Sequence, residues 1–332
     1  MTTRVHLTID TEFSIAGAFR EPQTYRPIGP PSVYCHRNGR SEGLGYLLDT
    51  LDRYAIRATF FVETLNTIYF GDEPMGAIAR EIASRGHDVQ LHLHPCWTYF
   101  GHPDWVERLQ NDPPNDNVTR RSVEELADLI EQGRATFRRW GLDAPSVLRT
   151  GGLKVDLKVY AAMREAGLPR ASNIGLAIYP PAEPELQLRG GCHVIDGVLE
   201  FPVTTYTDFQ IGARTHLKSL TITGTSWPEM RRILFQARRQ GVSDVVVLTH
   251  PFEFVRYRDD AQQAPSINPL TRRRLERLCR FLRSEPGFTP ACMADVLATP
   301  TAQDATPMLT VPAAHAALRA LENWTSQRVF WG

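Results

Sequence analysis

Short apolar runs rich in β-branched and aromatic residues alternate along this chain with longer segments whose leucines recur every three or four positions. The short runs predict strands at Val5–Ile9, Arg57–Val62, His87–Leu93, Ser146–Arg149, Arg170–Asn173 and Asp244–Thr249, with a last short one at Phe288–Thr289. The longer segments predict helices. Ser41–Tyr54 places Leu44, Leu47, Leu48 and Leu51 on one side, and Met75–Arg85 is stopped by Gly86. Ser122–Trp140 opens with Glu125 three residues after Ser122, a capping-box spacing. Asp156–Ala166, Pro228–Gln240 and Pro269–Ser284 complete the set. Apolar strands alternating with amphipathic helices indicate an α/β fold around a parallel sheet, open or closed as a barrel.

Three segments break the rhythm. Ser14–Arg40, after the first strand, is long, rich in Pro and Gly, and aperiodic, and a loop of that length is usually functional. Residues 179–225 are Pro-rich and then β-rich, with a hairpin-like HVID-G-VLEFPV, and suggest an insertion. Thr299–Pro312 reads as a linker and Ala313–Trp331 as a short terminal helix that packs back on the domain or joins an oligomer. The expected division is one catalytic domain over 1–298 and a linker with helix over 299–332.

Composition narrows the function. The chain has 332 residues, 42% of them hydrophobic, which is enough for a substantial core. Basic and acidic residues number 37 each, so no global field draws the chain to nucleic acid or to an anionic membrane. No apolar run reaches the roughly 18 residues of a membrane span, and MTTRVHLTIDTEF carries no signal-peptide stretch. The five cysteines form an odd set without a CxxC pair, which points to reduced thiols and a cytoplasmic location.

The chemistry concentrates at strand ends, where α/β active sites collect. The first strand ends in Asp10-Thr11-Glu12, the third in His92-Leu93-His94, the Ser146 strand in Arg149, and the Asp244 strand in Thr249-His250-Pro251. Alternate residues of a strand share a face, so His92 and His94 point one way, as metal ligands or as hydrogen-bonded structural histidines. Glu12 with His92 and His94 offers two nitrogens and a carboxylate to a divalent ion. Asp10 and His250 remain for the base and acid that amide or ester hydrolysis requires, and Arg149 could hold Asp10 as a carboxylate. His36 and Arg37 in the long loop, Trp97 after the histidines, and Glu253 three residues past His250 are candidates for substrate contact or for orienting that histidine. No GxxxxGK[ST] phosphate loop occurs.

The order of these residues resembles the polysaccharide deacetylase superfamily (NodB-like, carbohydrate esterase family 4). LTIDTEF, GHDVQLHLHP, LRTGG and VVVLTHPFEF correspond to its successive motifs. The resemblance implies a distorted (β/α) barrel that removes acetyl groups from N-acetylated sugars with one divalent metal. Zinc is the first choice and Fe, Co, Ni or Mn the alternatives. It implies Asp10 as base, Arg149 as its tether, His250 as acid, and Glu12, His92 and His94 as ligands. The acids lie two apart where the family has them adjacent, and the histidines two apart where it has four. Cys96 therefore enters as a neighbour or ligand, although Pro95 breaks the alternation; His87 is read as structural. The Phe13–Gly43 loop, with VYCHRNGRSEGLG, is similar to a WbmS-like, O-antigen-associated branch. That implies a small-molecule or oligosaccharide substrate, nucleotide- or lipid-linked, of a surface glycan. A small amide or imide hydrolase on the same site, and a non-catalytic glycan-binding protein, are the rival readings.

Overall fold

In the computed structural model, which describes residues 2–211, 214–257, 262, 264–296 and 307–328, the apolar runs assemble into one sheet. Its strands are β1 (Thr3–Thr11), β2 (Thr59–Glu63), β3 (Asp88–Leu93), β4 (Val147–Thr150), β5 (Arg170–Ala171), and the hairpin pair β6 (His193–Ile195) and β7 (Val198–Glu200). A second hairpin, β8 (Thr205–Ile211) and β9 (Arg214–Ser219), stands apart, and β10 (Asp244–Thr249), β11 (Phe288–Pro290) and β12 (Leu309–Thr310) follow. The main-sheet order is β10-β1-β2-β3-β4-β5-β7-β6, with β11 beside the start of β1. Every pairing in it is parallel except β6 with β7, so the carboxyl ends of β1, β2, β3, β4 and β10 share one rim.

Alternation separates two cores. Leu7, Ile9, Phe60, Val62, Leu91, Val245 and Val247 face the helices and join the larger cluster. Phe61, Val147, Val246 and Leu248 point inward and meet Phe201, Val203 and Met293 in the smaller one. The outer layer comprises α1 (Leu44–Arg53), α2 (Asp72–Ser84), α3 (Val123–Arg139), α4 (Leu157–Glu165), α5 (Trp227–Arg239) and α6 (Pro269–Ser284). The capping box at α3 forms as its spacing predicts: Ser122 Oγ accepts from Glu125 N, and the Glu125 carboxylate accepts from Ser122 N.

The barrel is distorted at one seam. The edge of β10 away from β1 meets irregular backbone instead of a regular strand. Gly191 N donates to Asp244 O, Thr204 N to Val246 O, and Ile222 N to Leu248 O. Thr204 Oγ1 accepts from Val246 N. Residues 179–225 are β-rich as expected, but they are not one insertion. The β6–β7 hairpin extends the main sheet through β5, while β8 lies between β9 and β12 in a separate three-stranded sheet.

The expected linker also divides. Residues 299–306 lie outside the described residues, whereas Leu309–Thr310 is strand, because Leu309 and Val311 bury their side chains. The terminal helix α7 (Ala313–Arg328) packs back on the body: Arg319 donates to Asp208 and Glu229. The last three positions of the expected helix, 329–331, lie outside the described residues.

Asp244, at the start of β10, ties that strand to β1 through side chains as well as backbone. It accepts two hydrogen bonds from Arg4 at 2.7 Å and faces His6 Nε2 at 2.8 Å. Burial opposes its ionisation, but His6 and Arg4 outweigh burial and hold the carboxyl below its usual range. A depressed carboxylate adds stability above its unfolded pKa of about 4 and loses it as pH falls through the lower folded value. Asp244→Asn should cost about 2–3 kcal/mol by denaturant titration at neutral pH. The deficit should shrink as the titration is repeated in acid; a constant deficit would contradict the assignment.

Candidate active site

Residues 6, 8, 10 and 12 of the first segment alternate inward, as do Glu63, His92, His94 and Arg149, so parallel registry gathers their side chains at one rim. Register pairs Glu63 with His92 and His92 with Arg149. The carboxylate of Glu12 lies 2.7 Å from His94 Nε2 and 3.4 Å from His92 Nε2. One ligand atom from each of the three residues lies within 4.8 Å of the others.

The far nitrogens decide what the near ones can do. His92 Nδ1 lies 2.8 Å from the carbonyl of Arg149, which can only accept, so the proton of a neutral His92 sits on Nδ1. Its Nε2 lone pair then faces a carboxylate lone pair, an arrangement that requires a cation or a proton between them. His94 is likewise held between Asp116 at Nδ1 (2.8 Å) and Glu12 at Nε2. Burial opposes charge on His94, but Glu12 and Asp116 outweigh it and raise its pKa well above the ordinary value. Burial also opposes charge on Glu12, and His94 and His92 outweigh it in holding that carboxyl well below its range. Two imidazole nitrogens and a carboxylate, each imidazole oriented from behind by an acceptor, fit a divalent transition-metal ion.

Beside this set, Arg149 Nη1 donates to Asp10 Oδ1 at 2.7 Å and to Thr8 Oγ1 at 2.9 Å. Arg149 is fully buried, its other donors go to Ser172 O and Oγ, and it lies 4.1 Å over the Phe61 ring. The second Asp10 oxygen is 3.9 Å from His250 Nε2. Glu253 stands 3.1 Å from His250 Nδ1 and accepts from Thr249 Oγ1. Burial would lower the pKa of His250, but the hydrogen bond and charge of Glu253, with Asp10, raise it to about 9.

The structure therefore gathers Asp10, Glu12, His92, His94, Arg149, His250 and Glu253. It does not gather the loop candidates. His36 and Arg37 are exposed on a two-residue strand, with His36 stacked on Tyr34, and neither lines the cleft. Trp97 lines a cleft of about 250 Å³ with Glu12, His94, Phe252 and Gln262. Its ring is 1% exposed against Phe70 and Phe100, so it is a wall and not a platform for a sugar face. Cys96 is buried, its thiol pushed up to about 12 chiefly by burial, and its backbone N donates to Asp116. It belongs to a second group with His94 and Asp116. His87 is buried against Phe60 and Ala58 N, away from the rim.

Sequence reasoning missed Asp116 and Glu63. Asp116 sits in the aperiodic stretch PPNDN, where only its Asn/Asp-Pro composition marks a loop. Glu63 ends β2 on the inner face and accepts from the backbone of Leu65, Asn66 and His94. Burial nevertheless raises its carboxyl to about 8. Its place at a strand end, level with the other candidates, was the available signal.

Residues 35–171 match the family model for polysaccharide deacetylase, a span that contains His92, His94 and Arg149 but not Asp10, Glu12 or His250. No curated protein matches the chain. Among solved structures, a Mycobacterium smegmatis protein provisionally assigned as a polysaccharide deacetylase aligns with TM-score 0.50 at 16% identity, over 88% of each chain. That match establishes a common fold. A family 4 carbohydrate esterase from Streptomyces lividans, in complex with acetate, gives TM-score 0.42 at 12% identity over 87% of this chain and 91% of that one. A family 4 acetyl xylan esterase from Clostridium thermocellum, in complex with a cobalt ion, gives 0.42 at 16% over 88% and 89%.

Purified protein incubated with Zn, Co or Mn and desalted should retain about one equivalent of metal, the stoichiometry of a single three-residue ligand set. His92→Ala combined with His94→Ala should retain little. Asp116→Asn should weaken metal affinity about 10- to 100-fold in a competitive chelator titration, the usual cost of losing the group behind a ligating histidine. Absence of metal from the wild type would overturn the ligand set.

Proposed function

We propose that this chain is a metal-dependent deacetylase that removes an acyl group, acetyl in the simplest case, from an N-acylated sugar. The observation that carries this reading is the 3.9 Å approach of His250 Nε2 to Asp10 Oδ2 beside the Glu12–His92–His94 set. Two proton-transfer groups flanking a cation site is what amide hydrolysis needs. The family-model match over residues 35–171 supports a carbohydrate substrate.

In this reading Glu12, His92 and His94 hold the metal, which when bound supplies Lewis acidity, polarising the acyl carbonyl and making water a stronger acid. Asp10 is the base. Arg149 occupies its Oδ1, which leaves Oδ2 to take the proton as the water oxygen bonds to the carbonyl carbon. His250 is the acid. Glu253 holds its Nδ1, so Nε2 is left toward Asp10, and a pKa of about 9 keeps it protonated at neutral pH. It delivers that proton to the sugar nitrogen as the C–N bond breaks, releasing the free amine and the carboxylic acid. A cleft of about 250 Å³ lies just under the usual range for ligand sites and suits a ligand no larger than one sugar ring with its acylamino arm.

The finer assignment is a surface-polysaccharide precursor of the O-antigen type, nucleotide- or lipid-linked and handled in the cytoplasm. The likeness of the Phe13–Gly43 loop supports the glycan, and five free, buried thiols are consistent with a reducing compartment. Among the described residues no helix is long and apolar enough to cross a membrane.

Acetate release from a panel of N-acetyl sugars, run beside small amides and imides, tests the substrate class; turnover confined to the small amides would move the assignment to the amide hydrolases. Asp10→Asn and His250→Ala should each lower kcat about 10²- to 10⁴-fold while metal content is unchanged. The kcat/KM profile should fall on the alkaline side near pH 9 as His250 loses its proton. Glu253→Gln removes the carboxylate that raises His250, so the alkaline limb should move to lower pH. An unmoved limb would show that another group sets it.

A further inference from the structure

The terminal helix α7 is amphipathic in the reverse of the usual sense. The charged side chains described on it turn inward: Arg319 pairs with Asp208 and Glu229, and Glu322 with Arg274. The exposed side chains described on it carry no ionisable group at all. They are four alanines, Leu318, Leu321, Trp324 and Thr325. Leu318 is 44% exposed and Leu321 55%, so this is a face turned to solvent. A surface helix of a globular domain normally shows the opposite pattern.

The neighbouring helices supply the complement. Between them α5 and α6 carry ten arginines against two glutamates, so a chain that is neutral overall has segregated its positive charge here. Arg231, Arg232 and Arg239 of α5 border a groove with His315 of α7, and Arg273 and Arg277 of α6 border another with Thr325. Trp227 lines both grooves, so they adjoin at its side chain as a trough beside α7, lined by six arginines and one carboxylate, Glu322. Arg231, Arg232, Arg239, Arg273 and Arg277 are exposed, and none has a carboxylate partner among the described residues.

We infer that α7 and the trough form a docking face for an anionic membrane surface, with the Leu318–Leu321–Trp324 side at the headgroup boundary and the arginines on lipid phosphates. An uncharged Leu/Trp face beside a band of Arg is the pattern of an interfacial helix. A second copy of the chain fits less well. A two-fold contact over α7 would bring two cationic troughs together, and like charges across an interface are costly. The inference is independent of the chemistry assigned to the cleft, and its test reads binding alone.

The full-length chain is sedimented with vesicles of phosphatidylcholine alone and of phosphatidylcholine mixed with phosphatidylglycerol. The expected result is binding to the mixed vesicles only, weakened by added salt. Arg273→Glu with Arg277→Glu should weaken it at least about tenfold, since each basic residue near such a surface contributes severalfold. Leu318→Ser with Leu321→Ser should weaken it without changing the melting temperature, because both side chains are exposed. No preference for the anionic vesicles would overturn the proposal, as would variants that bind like the wild type. So would a dimer, seen by light scattering without vesicles, that the leucine variants dissociate; a second copy would then be what covers the face.

Discussion

Arg149 is the residue on which the site turns. Its guanidinium is wholly buried inside the barrel, an expensive place for a charge unless its nitrogens are met. Asp10, Thr8 and both oxygens of Ser172 meet them, and the Phe61 ring covers one flat side. The main chain of the same residue also acts on the site, since its carbonyl faces His92 Nδ1 and thereby aims Nε2 at Glu12. The proposed base and one proposed metal ligand are thus set by a single residue, one through its side chain and one through its backbone. The β3–β4 register places Arg149 opposite His92, so a shift of one residue would break both relations at once.

The spacing of the two histidines follows from the same geometry. Residues two apart on a strand share a face but are separated by about 6.6 Å along it. They converge only because His94 lies just past the end of β3, at the entry to the short turn Pro95–Gly101, and because Glu12 reaches in from β1. Pro95 fixes where regular pairing stops. Asp116 then holds the freed imidazole from behind, as the Arg149 carbonyl holds the other.

Much of this was legible in the sequence, for a physical reason. Strands buried on both faces read as unbroken apolar runs, and helices packed on one side read as leucines every three to four positions, so the βα order and the rim residues could be placed. Strands of two or three residues carry too little alternation to be assigned, which is why the β6–β7 hairpin read as an insertion although it continues the main sheet. Asp116 lay in a stretch with no period, and its role depends on a contact 22 residues distant. His36 and Arg37 show the converse: their residue types suited a ligand, but nothing in a loop sequence says which way the loop folds. Trp97 lines the cleft, and only packing could show that its faces were already taken.

The seam in the barrel has a consequence for how such a protein can change over generations. The register of β10, and hence the position of His250, is set along its whole length by β1. On its other side stand irregular backbone from residues 191, 204 and 220–222 and a threonine hydroxyl. A length change in that irregular segment has no ladder through which to propagate, so it need not re-register any strand that bears a reactive group. The seam thus separates strands whose pairing locks the rim residues in place from a segment whose length can change without moving them.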